Sequence, residues 1–503
     1  MGNKLTSIGY TAFYKCTGLT GELIIPDSVT TIGKTAFYEC YGFTGQLIIP
    51  DSVTSIGDGA FYHCSGFTGE LIIPDSITEI GDSMFYECYG LTSVTIGSGV
   101  TTIGEYAFRN CKNLTGVTIG SGVKSIVNGA FYECPKLTGI TIPDGVTEIG
   151  DSAFMKCSSI TSITIADSVK TIGKDAFDQT AYYDTSSNWK NSVLYIDKHL
   201  IKAKYNSISG AYQIKEGTLT IACNAFAVCR SLTGVTIPDS VITIGNYAFQ
   251  NCTGLTGELV IPDSVTTLEN CAFYGCSGLT SVTIGSGVTS MGGSAFTGCT
   301  LLRNVYWNAV NADVITPNNY SPFNNCMNLQ NAVFGEGVET IPANLLRACT
   351  ALTSVTISDS VTTIGTAVFL GCTGLTSITI PDSVTTIGTN VFYGCTGLTS
   401  IAIPDSVTAI TANMFDGCSG LKSITIGSGV KSIASWAFNG CSGLEKVYYN
   451  GTAAEWAEIK INTSSNSKFT GATRYYYSET EPAAAGNYWH YDTDGVTPVI
   501  WSE

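Results

Sequence analysis

Cysteine is the residue whose chemistry this sequence most invites: 19 of the 503 residues are cysteine, and 17 of them stand at one repeat position, three residues after a phenylalanine or, at Cys349, after Leu346. They are Cys16, Cys40, Cys64, Cys88, Cys111, Cys134, Cys157, Cys229, Cys252, Cys276, Cys299, Cys326, Cys349, Cys372, Cys395, Cys418 and Cys441, and Thr180 takes the same slot once. If each such phrase is one coil of a stack, equivalent residues lie about 4.7–4.9 Å apart with parallel Cβ vectors. A disulfide wants Cβ atoms about 3.5–4.5 Å apart and turned toward each other, so neighbours in the rank cannot bridge unless the coils buckle. A metal array needs several converging ligands per ion, and the three histidines, His63, His199 and His490, are far apart in sequence. The rank therefore reads as small buried hydrophobes filling one niche beside the phenylalanine. Cys223 and Cys271 fall off the rank, and Cys271 with Cys276 is the local pair that merits a thiol assay.

The carboxylates offer no better catalyst. They recur at one turn position, as Asp27, Asp51, Asp75, Asp239, Asp263, Asp382 and Asp405, whereas acid–base chemistry needs acidic groups clustered at a few unique places. No Ser/His/Asp, phosphate-loop or zinc motif occurs. The chain is thus read as non-enzymatic and without a cofactor. A net charge of −16 makes phosphate backbones and anionic lipid surfaces poor partners, which excludes a nucleic-acid binder. No apolar run approaches the roughly 18 residues that cross a bilayer, and the first residues, MGNKLTSIGY, form no signal peptide. They begin inside a repeat, where an uncapped stack would expose an apolar cross-section, so a leader and earlier coils are expected ahead of them.

The elements that must carry these residues follow from the period. Counted by phenylalanine from Phe13 to Phe438, with Leu346 standing in once, there are 18 units spaced by 23 or 24 residues, with a longer step before Phe323 and a break between Phe177 and Phe226. Such a period is the mark of a solenoid. Within residues 375–397, Leu375, Ile378, Ile380, Val384, Ile387, Phe392 and Cys395 are spaced to point inward. The alternation through Ile378 and Ile380 predicts a strand that Pro381 and Asp382 end. Val384 and Ile387 predict a second, shorter extended piece, and the AFYEC type of segment predicts one helical or 3₁₀ turn. The expected fold is a parallel-β coil stack, with repeats over 1–177 and 223–447, an irregular β-rich insertion over 178–222 and a non-repeat aromatic-rich cap over 448–503.

The run LTSITIPDSVTTIGTNVFYGC at 375–395, with its IGxxAFxxC signature, resembles the BspA-like (Treponema-type) leucine-rich repeat family. The resemblance covers residues 4–177 and 223–447, about four fifths of the chain. It implies a right-handed leucine-rich-repeat solenoid, an extracellular or bacterial cell-surface location, and an adhesin-like role toward host matrix proteins, glycans or other cells. It brings no catalytic residue.

Binding positions are sought where the brick is altered. The outward position of the main strand is mostly threonine, as in Thr95, Thr118, Thr141 and Thr164, which also fits a plain solvated β face. In the 24-residue units the register points Ile24, Ile48 and Ile72 outward beside Glu22, Gln46 and Glu70, with Val260 alone later; the alternative is a bulge that tucks the isoleucines in. Tyr306 and Tyr448 fall on outward positions, and the polar loop 308–322 adds Asn318, Asn319 and Tyr320 as contact candidates. In the tail a helix is expected near 452–459 and hairpin-like strands at 472–478 and 488–501, with Trp456, Trp489, Tyr491 and Trp501 as cap residues or a carbohydrate platform. A polysaccharide-cleaving β-solenoid and an ice-binding threonine array are the competing readings.

Overall fold

The computed structural model describes residues 4–315, 320–483 and 486–501. It forms two compact units. One holds the described residues up to Ile208 with Lys215–Phe226 and Ser240–Ala248; the other holds Ser209–Ile214, Ala227–Asp239 and the described residues from Phe249 onward.

In the first unit every coil lays a two-residue strand on the one before, as Ser7–Ile8, Thr31–Ile32 and Ser55–Ile56 do, and then Glu79–Ile80 through Thr171–Ile172. All these pairs are parallel and in the register of the repeat: Thr102 faces Ser125, and Glu148 faces Thr171. The longer main strands stack likewise, Gly69–Ile73 on Leu91–Ile96 on Gly116–Thr118, and Gly139–Ile142 on Ser162–Ile165. The second unit repeats the plan with a parallel five-stranded sheet from Gly257–Ile261 to Ser354–Ile357. No single coil could bury its apolar face; within a unit the stacked coils share one core, as the cluster from Ile8 to Ala222 shows for the first.

Two rows hold that core together. The phenylalanine rings stack from coil to coil, with centroids 5.1–5.6 Å apart from Phe13 to Phe177. Beside them the thiols point at backbone. Cys64 Sγ donates to the Phe37 carbonyl (3.0 Å), Cys157 to Phe131 (3.0 Å), Cys395 to Phe369 (3.1 Å) and Cys418 to Phe392 (3.0 Å), always one coil back. A small weak donor is what this niche takes, because it fills the space and tops up the carbonyl. In some coils a glycine two residues after the cysteine allows a close approach as well: a Cβ at Gly90 would lie 2.1 Å from the Phe67 carbonyl oxygen of the preceding coil.

The AFYEC segment is not a helical turn. Tyr38 and Cys40 donate within their own coil, to Thr35 and Phe37, while Phe37 and Glu39 donate to Ala60 and Tyr62 of the next coil. Alternate N–H groups thus leave the coil, which a helix does not allow. The turn is made by left-handed residues before each cysteine: Glu39, Glu87 and Glu133 sit at φ +55°, +56° and +58°. The second unit mostly puts glycine there, Gly371, Gly394, Gly417 and Gly440. In the first unit the strained side chains, at a cost of about 1–2 kcal/mol each, join hands along the stack. Lys15 pairs with Glu39 (3.4 Å), Asn110 donates to Glu87 (3.0 Å) and Lys156 to Glu133 (2.8 Å).

Between residues 178 and 222 the chain leaves the repeat. Thr180, in the cysteine slot, caps the short helix Ala181–Asp184 by accepting from Tyr183 N–H. Trp189–Lys190, Val193–Ile196 and His199–Ala203 then form an antiparallel sheet. Cys223 N–H returns to the Ile172 carbonyl at 2.9 Å, so the regular stacking resumes directly after the excursion. Past residue 448 the coil geometry carries on. Lys460–Ile461 pairs with Ser432–Ile433, Phe469 stacks on Phe438 at 4.2 Å, and Thr473–Tyr477 adds in parallel to Lys446–Tyr449. The helix Ala453–Ala457 carries a capping box between Thr452 and Glu455. The strands at 473–477 and 488–491 are parallel, and the one hairpin there joins Tyr488–Tyr491 to Pro498–Ile500.

Candidate functional site

The outward side of the main strand row in the first unit is where side chains are left over after the core is built. Leu23 and Ile25 turn inward, and the residue between them turns out: Ile24 is 70% exposed, Ile48 64% and Ile72 52%. A bulge does occur, between Gly69 and Glu70, yet it lies before the isoleucine and leaves it outside. Ile72 faces Thr95, and Thr95 faces Thr118, so the apolar row runs straight into the threonine row. Its border is polar and fixed. Gln46 Nε2 donates to the Glu70 carbonyl (2.8 Å), and Thr95 Oγ1 donates to Glu70 Oε1 (3.1 Å).

Beyond Thr95 the face hollows into a groove of about 570 Å³ floored by Thr118, Thr141 and Thr164. Its depth comes from Gly116 and Gly139, which replace the serine of neighbouring coils. Nothing lies within 4 Å of where a Cβ at Gly116 would stand, so that glycine leaves open space and not a forced backbone. The floor is hydroxyl and short, and Glu70 is its one ionisable lining residue. Such a surface can hydrogen-bond and exclude water over an apolar partner; it has no paired acid and base for a reaction.

The other candidates are scattered. In the second unit Val260 (52% exposed), Thr283, Tyr306 (41%) and Val333 stand in one outward row. Tyr320 is 55% exposed, while Asn318 and Asn319 lie outside the described residues. Tyr448 is on the outward register expected of it, opposite Thr425, but it is buried under Tyr475 and Trp489, at 5.5 Å each, and cannot serve as a contact. The tryptophans of the tail are likewise spent on packing. Trp489 is buried and donates to the Tyr449 carbonyl (2.9 Å), Trp456 is buried, and Trp501 donates to the Ser478 carbonyl (2.9 Å). A sugar platform needs an open ring face, which Trp456 and Trp489 lack.

Neither thiols nor histidines form a reactive cluster. Burial pushes Cys40 up to about 11 and Cys326 and Cys395 to about 12, away from thiolate chemistry. Among the described residues no group of three or more His, Cys, Asp or Glu side chains could hold a metal ion, and no helix is long and apolar enough to cross a membrane. His199, buried in the insertion, was not singled out by the sequence. Its Nε2 lies 3.3 Å from the Ala166 carbonyl, and its Nδ1 has no partner.

A family model described as BspA type leucine rich repeat region (6 copies) matches residues 1–115, 78–207, 219–353 and 339–467. Among solved structures, a leucine rich cell surface protein from Faecalibacterium prausnitzii is 28% identical, with 78% of this chain and 91% of that one covered and a TM-score of 0.33. A leucine-rich repeat protein from Bacteroides ovatus is 24% identical over 94% of this chain and 87% of its own, with a TM-score of 0.31. The Treponema pallidum leucine rich repeat protein is 24% identical over 37% and 77%, with a TM-score of 0.25. None of the curated proteins matches this chain.

Proposed function

Since this chain belongs to the BspA-type leucine-rich repeat family, we propose that it is a non-enzymatic surface or secreted binding protein whose first unit recognises a host or microbial macromolecule. The observation that carries this reading is the row Ile24, Ile48 and Ile72, exposed at three consecutive coils and leading into the groove at Gly116. Aligned exposed apolar side chains have a cost in solubility that a bound partner removes. The neutral hydroxyl floor next to them supplies orientation without a fixed charge pattern. A protein or glycan of an extracellular matrix or a neighbouring cell fits such a face.

The test is a binding screen of the intact chain against immobilised matrix proteins and glycans, with two variants run beside it. Ile48→Asp places a charge in the middle of the strip, and Gly116→Tyr fills the groove at a position with room for a side chain. Burying one isoleucine contributes about 1.5–3 kcal/mol, so Ile48→Asp should weaken the ligand found by tenfold or more. A ligand whose affinity ignores both variants binds elsewhere, and the reading fails. Release of reducing ends or unsaturated sugars from any glycan in the screen would revive the enzyme instead.

A further inference from the structure

The tail does more than close the stack. In the second unit the turn between Tyr491 and Val496 reaches back to coils well before the last one and forms one wall of a cleft of about 500 Å³. The turn row Asp359, Asp382 and Asp405 lines the same cleft, together with Thr379, Ala402 and Thr425. Sealing the final coil requires no such reach.

Two features of this cleft ask for an occupant. Thr425 is only 7% exposed, unlike Thr356 and Thr379 of the same row, and its hydroxyl has no hydrogen-bond partner among the described residues. That hydroxyl is not sealed from solvent: Tyr448 faces Thr425 from the next coil, and the hydroxyl lines the cleft with no internal partner among the described residues, free to bond an occupant. The carboxylates are the second feature. Asp405 is engaged: it accepts from Ser428 N–H (2.7 Å) and from Asn450 Nδ2 (3.0 Å to each oxygen). Asp359 and Asp382 are exposed and make no hydrogen bond to any described residue. They occupy equivalent places in consecutive coils, about 5 Å apart by the strand spacing, where like charges repel. The lining contains no lysine, arginine or histidine to relieve them.

The occupant must therefore bring positive charge and donors. A bare metal ion is disfavoured, since no cluster of three such ligands converges among the described residues. Burial, with the Asp405 carboxylate next in effect, holds the Tyr491 hydroxyl above its usual range, so it stays a neutral phenol with an aromatic face for a cation. We propose that this cleft is a second binding site, separate from the isoleucine strip, and that it takes a basic peptide segment: a lysine or arginine side chain of an extended partner lies along Asp359 and Asp382, and a donor further along the same segment, beside Tyr491, bonds Thr425.

The probe is a fluorescein-labelled alternating lysine–serine decapeptide, titrated by anisotropy at low ionic strength. An alternating glutamate–serine peptide and cellohexaose serve as comparisons. Because a chain of net charge −16 attracts any polycation, the control is Asp51→Asn, which removes the same charge from a turn of the first unit. Asp359→Asn and Asp382→Asn should each weaken the lysine peptide about fivefold, and Tyr491→Ala and Thr425→Val should weaken it too. Asp51→Asn should change it by less than twofold, and Ile48→Asp should leave it alone, which keeps this site distinct from the strip. Thermal melting checks that each variant folds; the Asp359 and Asp382 variants break no internal hydrogen bond. Equal losses for all three aspartates, no binding of the lysine peptide, or displacement of it by cellohexaose would each overturn the proposal.

Discussion

Removing one ring from the middle of the phenylalanine row and one from its beginning should have unequal consequences, and the difference can be worked out from the stacking. Phe392 is fully buried, with Phe369 at 5.6 Å on one side and Phe415 at 5.5 Å on the other. Phe392→Ala deletes the ring from a site that neighbouring coils cannot collapse into, because their backbones are tied by the strand rows above and below. The usual range for such a truncation is about 3–5 kcal/mol, of which two lost ring pairs supply roughly 1–3. Phe13 is only partly buried and has one ring neighbour, Phe37 at 5.1 Å. Phe13→Ala loses one interface and a fraction of the burial, so about half the cost, near 2 kcal/mol, is expected. Urea titrations followed by far-ultraviolet circular dichroism give both values, and tryptophan fluorescence, which arises from the second unit for every tryptophan but Trp189, tests whether that unit unfolds as one piece. Equal losses for the two variants, or a loss below about 1 kcal/mol for Phe392→Ala, would refute the reasoning that burial is created by stacking.

Other expectations follow from the same rows. Alkylation of the native protein at pH 8 with peptide mapping should label Cys16, which is partly exposed, and leave Cys134, Cys299 and Cys349 untouched until urea is added, because burial raises those thiols well above their ordinary value. Burial lowers the pKa of His199, with the Ala166 carbonyl, Asp167 and Asp197 opposing and Lys198 assisting, so the folded chain keeps the ring neutral. The unfolded chain then binds more protons below about pH 6.5, and stability should fall with pH in that window and fall less in His199→Gln, as read from melting curves at pH 5 and 7.5. Gly90→Ala should destabilise by about 1–3 kcal/mol, since its Cβ would meet a backbone oxygen, while Gly116→Ala should stay within about 0.5 kcal/mol in the same urea assay.

The parts legible in the sequence are those that each coil decides for itself. Inward Ile378 and Ile380, the cysteine beside the phenylalanine, and the outward turn of Ile24, Ile48 and Ile72 all follow from a period and a proline. The backbone of the AFYEC segment did not follow, because Lys15, Glu39 and Glu87 are ordinary residues for a helical turn and nothing in their type announces a left-handed conformation. Their strain is repaid by contacts with the next coil, 23 or 24 residues away. Tyr448 shows the same limit: its register was read correctly, and its burial depends on Tyr475 and Trp489, which arrive from the tail. The cleft at Thr425 was hidden for that reason as well, since Thr425 looks like every other threonine of its row until Tyr491 is placed opposite it.

The claim beneath all of this is that one repeat is one coil, so that like residues form straight rows on a common face. Spin labels at Ile48→Cys paired in turn with Thr118→Cys, Thr141→Cys and Thr164→Cys test it by double electron–electron resonance, in a background where the partly exposed Cys16 and Cys271 are replaced by serine and the remaining, buried thiols should not label. At about 4.8 Å per coil the three pairs lie three, four and five steps apart, so the backbone separations should rise in even increments from about 14 to about 24 Å. Distances that fail to grow by a constant step, or distributions too broad to show one, would contradict the stacked-coil account and the binding face built on it.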